Sequence, residues 1–237
     1  MSRSNAALIL FDIDGTLLRT GDHEHGAAFR HAFETVYGRP VTLEGVPLAG
    51  MLDAQIARIL FEHHDLERSD ADDRLHEMME AMGQRYAVAI AERNMRERLL
   101  PGAVEAVQAC IHRQWPAGVL TGNGQAVGHA KLRATGLDTL LTFGAFGDSA
   151  MERAHLVEIA LDAARMATGQ THERDWTVLV GDTPNDINAA RQAGTRVIAV
   201  ATGRFDARTL ASHDPDALLD DLGDTTAFVS AVQRVLA

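Results

Sequence analysis

Two aspartates, Asp12 and Asp14, follow a short apolar run and are separated by a single residue. The run, residues 6–11, predicts a buried strand of a parallel sheet, so both carboxylates would lie at the carboxyl end of that strand, where such sheets bind ligands. Asp14 is followed by Gly15, and Asp-Gly is also a common turn dipeptide. The pair alone therefore leaves a binding site and a simple turn equally open.

Two later segments place polar residues after predicted strands in the same way. The stretch AGVLTGN ends in Thr121, Gly122 and Asn123, and the stretch WTVLVGD leads to Asp182 and Asp186. The carboxyl ends of parallel strands lie at one edge of a sheet, so residues from distant segments would meet in one crevice. The last two aspartates are also typical of a capped helix start with proline at its first position. The coincidence of three strand ends favours a site.

Four aspartates gathered at one edge would repel one another. Two unit charges about 4 Å apart repel by about 4 kcal/mol at an effective dielectric constant of about 20. A divalent cation removes this cost, and Mg²⁺ fits a set of oxygen ligands better than zinc, which prefers His and Cys. The predicted metal ligands are Asp12, Asp14, Asp182 and Asp186.

Hydrophobic periodicity indicates the elements that position these segments. Residues 22–96 show apolar stripes at helical spacing and no convincing strand, whereas strands and helices alternate from Leu100 onward. The alternation predicts a doubly wound parallel sheet, an α/β Rossmann-like core covered on both faces. We expect a catalytic core of residues 1–18 and 97–237, interrupted by an all-helical cap of residues 19–96.

Glycines predict where several core helices end. Helices are expected over residues 125–135, 153–168 and 184–193, each followed directly by glycine, which is typical of a helix C-terminus. Apolar runs predict strands over residues 140–146 and 196–200.

Composition excludes several classes of function. A formal net charge of −11 disfavours nucleic-acid binding, which depends on clustered Lys and Arg. The single Cys110 forms no internal disulfide, the N-terminus lacks the basic flank of a signal peptide, and no stretch approaches the roughly 18 apolar residues of a membrane span. A cytoplasmic location without membrane attachment is therefore expected.

Three motifs together carry a family resemblance. In order and spacing, DIDGTLL, LTGN and GDTPNDI resemble the first, second and fourth motifs of the haloacid dehalogenase superfamily, in the phosphoglycolate phosphatase-like branch whose helical cap is inserted after the first strand. The resemblance covers essentially the whole chain. It implies a Mg²⁺-dependent phosphatase, monomeric or homodimeric, that hydrolyses a small phosphomonoester through an aspartyl-phosphate intermediate.

The resemblance also implies a role for each motif residue. Asp12 would be the nucleophile, which suits a carboxylate because it is ionised near pH 7 and needs no base. Asp14 would be the general acid and then the general base. Asp182 and Asp186 would bind the metal. Thr121 would donate a hydrogen bond to a phosphate oxygen of the substrate. The loop residues expected to bind the substrate phosphate are Gly15, Thr16, Thr121, Gly122 and Asn123.

The third motif of the family is altered. Relatives usually carry a lysine at the start of the helix before the GD strand, and here the segment GDSAMERAH has none, so Arg153 is the expected substitute. Lys131, the only lysine, lies within an amphipathic helical pattern and is expected to be structural or solvent-facing. Asp148 is expected to support the site or to cap a helix.

The segment expected to select the substrate is the least legible part of the sequence. Many relatives carry a Gly-Arg-Thr-like stretch, whereas this chain has GMLD at residues 50–53 and lacks the arginine. Four other side chains are possible replacements, although each fits the surface better: His23, His25, Arg58 and Arg204.

Other functions remain open beside the phosphatase. A phosphomutase of the β-phosphoglucomutase type would share every core residue named above and would differ by excluding water from the aspartyl phosphate. A catalytically silent module that binds phosphorylated ligands is less expected, since Asp12 and Asp14 are both present. A true dehalogenase would not need Asp14, and a phosphonate hydrolase would need a cap lysine, absent between residues 19 and 96.

Overall fold

The computed structural model describes residues 3–4 and 6–237. Its strands are β1 (Arg3–Ser4), β2 (Leu8–Phe11), β3 (Ala117–Leu120), β4 (Gly144–Ala145), β5 (Thr171–His172), β6 (Thr177–Gly181), β7 (Arg196–Val200) and β8 (Ala217–Leu219). Six of them form one parallel sheet in the order β4-β3-β2-β6-β7-β8, and β1 pairs with β5. The predicted α/β parallel-sheet fold is confirmed.

Ten α-helices accompany the strands within these described ranges. They are α1 (His23–Tyr37), α2 (Asp53–His63), α3 (Arg68–Asp73), α4 (Leu75–Ile90), α5 (Ala103–His112), α6 (Gln125–Thr135), α7 (Arg153–Thr168), α8 (Pro184–Ala193), α9 (Ala207–Ala211) and α10 (Thr225–Val235). Short 3₁₀ turns occupy Met95–Arg98, Leu137–Thr139 and Arg174–Trp176. The first four α-helices follow one another between β2 and α5, as the sequence predicts for the inserted segment.

Predicted helix ends agree closely with the structure, and one strand does not. Helices α6, α7 and α8 have the predicted bounds, and the glycine after each adopts a left-handed conformation that closes the helix. The strand predicted over residues 140–146 is wrong in extent, because only Gly144–Ala145 pairs in the sheet after the 3₁₀ turn. Short α3 and α9 carry too little pattern to be predicted.

The sheet is buried on both faces. Phe11 packs in one apolar cluster with Phe228 of α10, while Leu10 points to the other face and packs with Leu156 of α7. Alternate residues of a central parallel strand therefore meet different helix layers, which explains the continuous apolar run.

Helices α1, α2 and α4 have an apolar cluster of their own. It contains Phe33, Phe61 and Tyr86, and it continues onto α6 through Val127 and Ala130. The helical segment is therefore seated on α6, the helix that follows the second motif. The division of the chain into a core and a cap stays a prediction.

Candidate active site

Three strand ends bring the predicted site together. Strand β2 lies between β3 and β6, with Phe11 in register with Val119 and with Val180. The backbone N–H of Asp12 donates to the carbonyl of Val180 at 2.9 Å, which continues the ladder by one residue. The residue that follows β2 therefore lies beside the loops that follow β3 and β6, at the place where the chain crosses from one side of the sheet to the other.

Asp12, Asp182 and Asp186 form a cluster of buried carboxylates. Each offers one oxygen within 4.8 Å of the oxygens of the other two. Burial raises the pKa of Asp12 to about 7, with Arg153 opposing and Asp186 adding to the rise. Burial also raises the pKa of Asp182 to about 9, and the charge of Asp12 contributes. Without a metal ion, ionisation of all the carboxylates of the cluster is therefore unfavourable.

Arg153 is the cation of this cluster. Its Nη2 lies 3.1 Å from Oδ1 of Asp12 and 2.6 Å from Oδ1 of Asp186, and all three side chains are buried. Burial alone would lower the pKa of the guanidinium, but the two carboxylates hold it above its usual value. The residue that begins α7 therefore places a positive charge beside Asp12, and its substitution for the lysine of the third motif stays a prediction.

Asp186 combines a structural contact with its place in the cluster. Its Oδ2 accepts hydrogen bonds from the Thr183 hydroxyl at 2.6 Å and from the Thr183 N–H at 3.0 Å, which closes a capping box at the start of α8. Its Oδ1 faces Arg153. Asp186 thus takes part in the cap of α8, where Thr183 is the capping residue, and also in the carboxylate cluster.

Asp14 lies apart from the three-carboxylate cluster. Its Oδ2 accepts from Lys131 Nζ at 2.5 Å and from Asn123 Nδ2 at 2.8 Å. Burial acts to raise the pKa of Asp14, but Lys131 and His25 outweigh it and hold the pKa below its ordinary value. The side chain of Asp14 therefore contacts Lys131 and Asn123 and is not part of the cluster of Asp12, Asp182 and Asp186, and its role as a metal ligand stays a prediction.

Lys131 corrects one of two alternatives. The amphipathic pattern of α6 left a structural and a solvent-facing side chain open, and the solvent-facing alternative is wrong, because Lys131 is fully buried and its ammonium contacts Asp14. No sequence-local signal points to Asp14, which is 117 positions away along the chain.

Thr121 and Asn123 form the polar end of β3. Both side chains are buried, and Asn123 Nδ2 donates to the Thr121 hydroxyl oxygen at 2.7 Å. The Thr121 hydroxyl accepts this bond and so keeps its own hydrogen available for a ligand in the pocket. The arrangement suits binding of an anionic oxygen.

Glycines allow the loops to approach one another. A Cβ on Gly15, whose φ is +95°, would lie 2.2 Å from Asp182 Oδ2, and Thr16 Oγ1 donates to the same carboxylate at 3.4 Å. A Cβ on Gly122 would lie 2.2 Å from the carbonyl oxygen of Met51. These residues shape the site by close backbone approach.

Gly203 also approaches Asp182 closely, and it was not identified from the sequence. A Cβ at this position would lie 1.6 Å from Asp182 Oδ2. The signal was present, because Gly203 follows the apolar strand β7 in the same way that the motif residues follow β2, β3 and β6.

The site opens into a pocket of about 380 Å³ between the sheet edge and the helical segment. Phe29, Leu43, Leu48 and Ile56 supply its apolar wall. Its positively chargeable side chains, besides Arg153 at its base, are His23, His25, Arg30 and Arg204.

Three of the four possible anion-binding side chains line the pocket, although each was expected to fit the surface better: His23, His25 and Arg204. Arg58 lies outside the pocket lining and pairs with Asp72 at 2.8 Å. Arg30, which sequence reasoning missed, lines the pocket from α1.

The loop before α2 is hydrogen-bonded to the sheet edge. Asn185 Nδ2 donates to the Gly50 carbonyl at 2.9 Å, and the Asp53 N–H donates to the Gly122 carbonyl at 2.8 Å. The GMLD segment is therefore hydrogen-bonded to both the second and the fourth motif. The contacts use backbone carbonyls and the N–H of Asp53, the first residue of α2.

Asp148 caps a helix, one of the two alternatives predicted for it. Its Oδ2 accepts from the backbone N–H of Gln125, the first residue of α6, at 3.0 Å. Asp148 does not line the pocket.

Within the described ranges, none of the helices has the length and apolar character needed to cross a bilayer.

The chain is similar to known phosphatases in sequence and to a phosphoglucomutase in fold. Pyrophosphatase PpaX of Anoxybacillus flavithermus is 28% identical over 97% of this chain and 100% of that protein. Phosphoglycolate phosphatase of Agrobacterium fabrum is 26% identical over 95% and 93%. The crystal structure of a β-phosphoglucomutase from Clostridium difficile superimposes with a TM-score of 0.72 at 14% identity over 96% and 97%, which shows a shared fold.

The family described as haloacid dehalogenase-like hydrolase matches residues 9–191, a span that contains every strand-end motif of the site. Both the resemblance and the assignment as a hydrolase are confirmed by this match, and the chain belongs to the haloacid dehalogenase-like hydrolase family.

Proposed function

We propose that this protein is a Mg²⁺-dependent phosphatase that hydrolyses a small phosphomonoester through phosphorylation of Asp12. The supporting observation is the position of the Asp12 carboxylate, at the base of the pocket and 3.1 Å from the guanidinium of Arg153. The names of the phosphatase relatives agree with this reaction.

The donor set fits Mg²⁺. Three buried carboxylates face one guanidinium, so two negative charges remain uncompensated when all three are ionised. We infer that Asp12, Asp182 and Asp186 hold the ion, because a hard divalent cation prefers carboxylate oxygens. Bound Mg²⁺ would neutralise these carboxylates and polarise the phosphoryl group.

Phosphoryl transfer would begin with attack of an Asp12 carboxylate oxygen on phosphorus. The bond between phosphorus and the ester oxygen breaks, and Asp14 donates a proton to the departing alkoxide oxygen. Lys131 and His25 lower the pKa of Asp14 in the ligand-free protein, so this step requires that the negative charge of the bound phosphate raise that pKa again. The hydroxyl of Thr121 would hold a phosphoryl oxygen, with Arg153 offsetting the repulsion between nucleophile and substrate. The product is an alcohol and an acyl phosphate on Asp12.

Hydrolysis of the acyl phosphate would return the enzyme to its starting state. Asp14, now a carboxylate, removes a proton from water, and the water oxygen attacks phosphorus. The bond from phosphorus to the Asp12 oxygen breaks, inorganic phosphate leaves and Asp12 is again a carboxylate. One carboxyl group thus serves both halves by gaining and losing one proton.

The experiment compares phosphate release by the wild type and by Asp12→Asn. The amide keeps the shape of the side chain but does not attack phosphorus, so turnover of p-nitrophenyl phosphate in Mg²⁺ should fall by about a thousandfold or more. Asp162→Asn is the matched control, because Asp162 is an exposed carboxylate of α7 and pairs only with Arg165 among the described residues. Near-wild-type turnover in Asp12→Asn would exclude the mechanism.

A panel of substrates identifies the reaction more closely. It includes alkyl phosphates, pyrophosphate and a hexose 1-phosphate, followed by ³¹P NMR. Release of inorganic phosphate is the expected result, migration of the phosphoryl group to another hydroxyl would identify a phosphomutase, and binding without either would identify a silent module.

A further inference from the structure

Lys131 lies at the junction of the helical segment and the sheet edge, and the mechanism above does not use it. Its side chain is fully buried within α6. An ammonium has three N–H donors, and an unpaired one in such a place is costly. The partners of Lys131 therefore decide what it does.

The three N–H groups of Lys131 have three acceptors. Nζ lies 2.5 Å from Asp14 Oδ2, 2.7 Å from Asn123 Oδ1 and 3.4 Å from His25 Nδ1. Asp22 of the helical segment is farther away, at 4.0 Å, and its Oδ2 accepts instead from the Tyr86 hydroxyl. The strongest contact of Lys131 is thus with Asp14.

The helical segment holds the other side of the ammonium. Because Lys131 donates to Nδ1 of His25, the proton of the neutral ring is on Nε2, which lies 3.0 Å from Asp53 Oδ2. The same oxygen of Asp53 accepts from the Gly124 N–H at 2.7 Å. Lys131 is therefore fixed between α1 and the loop of the second motif.

The two carboxylate oxygens of Asp14 differ in the hydrogen bonds that they accept. Both Lys131 Nζ and Asn123 Nδ2 reach Oδ2, while Oδ1 accepts no hydrogen bond from the described residues. The side chain of Asp14 is 29% exposed and lines the pocket. Fixing Oδ2 orients the carboxyl group and leaves Oδ1 without a partner among the described residues, on a side chain that lines the pocket.

We propose that Lys131 is a positioning residue for the general acid and base: with Asn123, it holds Oδ2 of Asp14 so that Oδ1 faces the oxygen of the leaving group. This inference rests on the proposed phosphatase reaction. The contribution of Lys131 should therefore scale with how much the leaving group needs a proton. An alkoxide needs one, whereas p-nitrophenolate leaves without protonation.

The test measures kcat/KM, which reports the first half-reaction, for Lys131→Met with an alkyl phosphate and with p-nitrophenyl phosphate. We expect the alkyl ester to lose at least about tenfold more than the aryl ester, since general acid catalysis contributes about a hundredfold or more. Arg133→Met is the matched control, because Arg133 is an exposed cation on the same helix. It should leave both values unchanged. Equal losses for both esters, or no loss, in Lys131→Met would overturn the proposal.

A second comparison covers the case in which Lys131→Met does not fold. Asp14→Asn is compared with Asp14→Asn combined with Lys131→Met, which removes both members of the buried pair and leaves neither charge unpaired. If Lys131 acts through Asp14, the two proteins have the same kcat/KM. A further loss of about tenfold or more in the double variant would show an independent role and overturn the proposal.

The wild type separates this inference from the proposed function. Absence of phosphate release from every ester would remove the phosphatase assignment itself. Phosphate release by the wild type together with a uniform loss in Lys131→Met would remove only the role of Lys131.

Discussion

The guanidinium of Arg153 lies 3.1 Å from the carboxylate of Asp12, and both side chains are buried. The contact is a charge-assisted hydrogen bond between the predicted nucleophile and the arginine predicted to replace a lysine of the third motif. Arg153 also reaches Asp186, so one side chain links the predicted nucleophile to the fourth motif. Both contacts come from the same nitrogen, Nη2.

Arg153→Ala should lower kcat/KM for phosphate esters by roughly ten- to over a hundredfold, because one charge-assisted contact is worth about 1.5–3 kcal/mol. Arg153→Lys should recover part of the loss, since it restores the charge without the fork. Steady-state kinetics at saturating Mg²⁺ measure both effects.

The control for Arg153 is Arg165→Ala, because Arg165 lies on the same helix and is exposed. Unchanged kinetics in both Arg153 variants would show that the charge near Asp12 is not used in the reaction. That result would leave the roles of Asp12 and Asp14 unaffected.

Much of the sheet edge could be predicted because its signals are local in sequence. The strand-end residues Asp12, Thr121 and Asp182 each follow an apolar run, and parallel pairing alone brings such ends together. The glycines that close α6, α7 and α8 are equally local. The short β4 was overestimated because an apolar run does not distinguish a strand from a 3₁₀ turn followed by two paired residues.

The rest could not be predicted because its signals are contacts between distant elements. Lys131 is explained only by the packing of α1 and α4 on α6, which encloses the ammonium with Asp14 and His25. Gly203 does follow an apolar strand in the sequence, but the reason for a glycine there, the close approach to Asp182, is visible only in the structure. The amphipathic pattern of a helix predicts which of its faces is buried, but it does not predict which polar group of another element contacts that face.

Stability of the metal-free protein should fall as the pH rises. The folded pKa values of Asp12 and Asp182, about 7 and about 9, lie above the ordinary value of 3.8. Between these limits the folded state binds more protons than the unfolded state, so the free energy of unfolding decreases with pH. Thermal unfolding in EDTA should therefore give its higher Tm near about pH 5 and its lower Tm near about pH 8.

Mg²⁺ should reverse this trend, because it replaces the protons of the same carboxylates. We expect the rise in Tm caused by Mg²⁺ to be larger at about pH 8 than at about pH 5. Asp182→Asn should reduce both the pH dependence and the effect of Mg²⁺, while Asp162→Asn serves as the exposed control. A Mg²⁺ effect of equal size at both pH values would contradict the assignment of these carboxylates.

Gly203→Ala should weaken Mg²⁺ binding, although Gly203 carries no ligand atom in its side chain. The added methyl group would lie 1.6 Å from Asp182 Oδ2, so Asp182 must move away from Asp12 and Asp186. Titration of Mg²⁺ by the shift in Tm should give a dissociation constant raised by about tenfold or more.

The control for Gly203 is Gly223→Ala. There the added methyl group would lie 3.0 Å from the exposed carboxylate of Asp221, outside the pocket lining. It should leave Mg²⁺ binding unchanged. Unaltered binding in Gly203→Ala as well would show that Asp182 tolerates displacement or does not hold the ion.

Arg30 should select among substrates. It is an exposed cation on α1 that lines the same pocket as Asp12 and Asp182, and no ion pair ties it to another side chain of the described residues. A substrate with a second anionic group would place that group near Arg30 while its phosphate meets Asp12. Arg30→Ala should therefore raise KM for a phosphate ester that also carries a carboxylate by about tenfold, because a hydrogen bond to a charged group is worth about 1.5–3 kcal/mol.

The pattern of effects across substrates decides whether Arg30 acts in this way. KM for a neutral alkyl phosphate should change little in Arg30→Ala, and kcat should stay close to the wild-type value for both esters, since Arg30 does not contact the reacting atoms. Arg58→Ala is the matched control, because Arg58 is a nearby arginine of the helical segment that pairs with Asp72 outside the pocket lining. Equal changes in KM for the two esters would mean that Arg30 acts on the phosphate itself or on the fold of the helical segment, and not on a second anionic group.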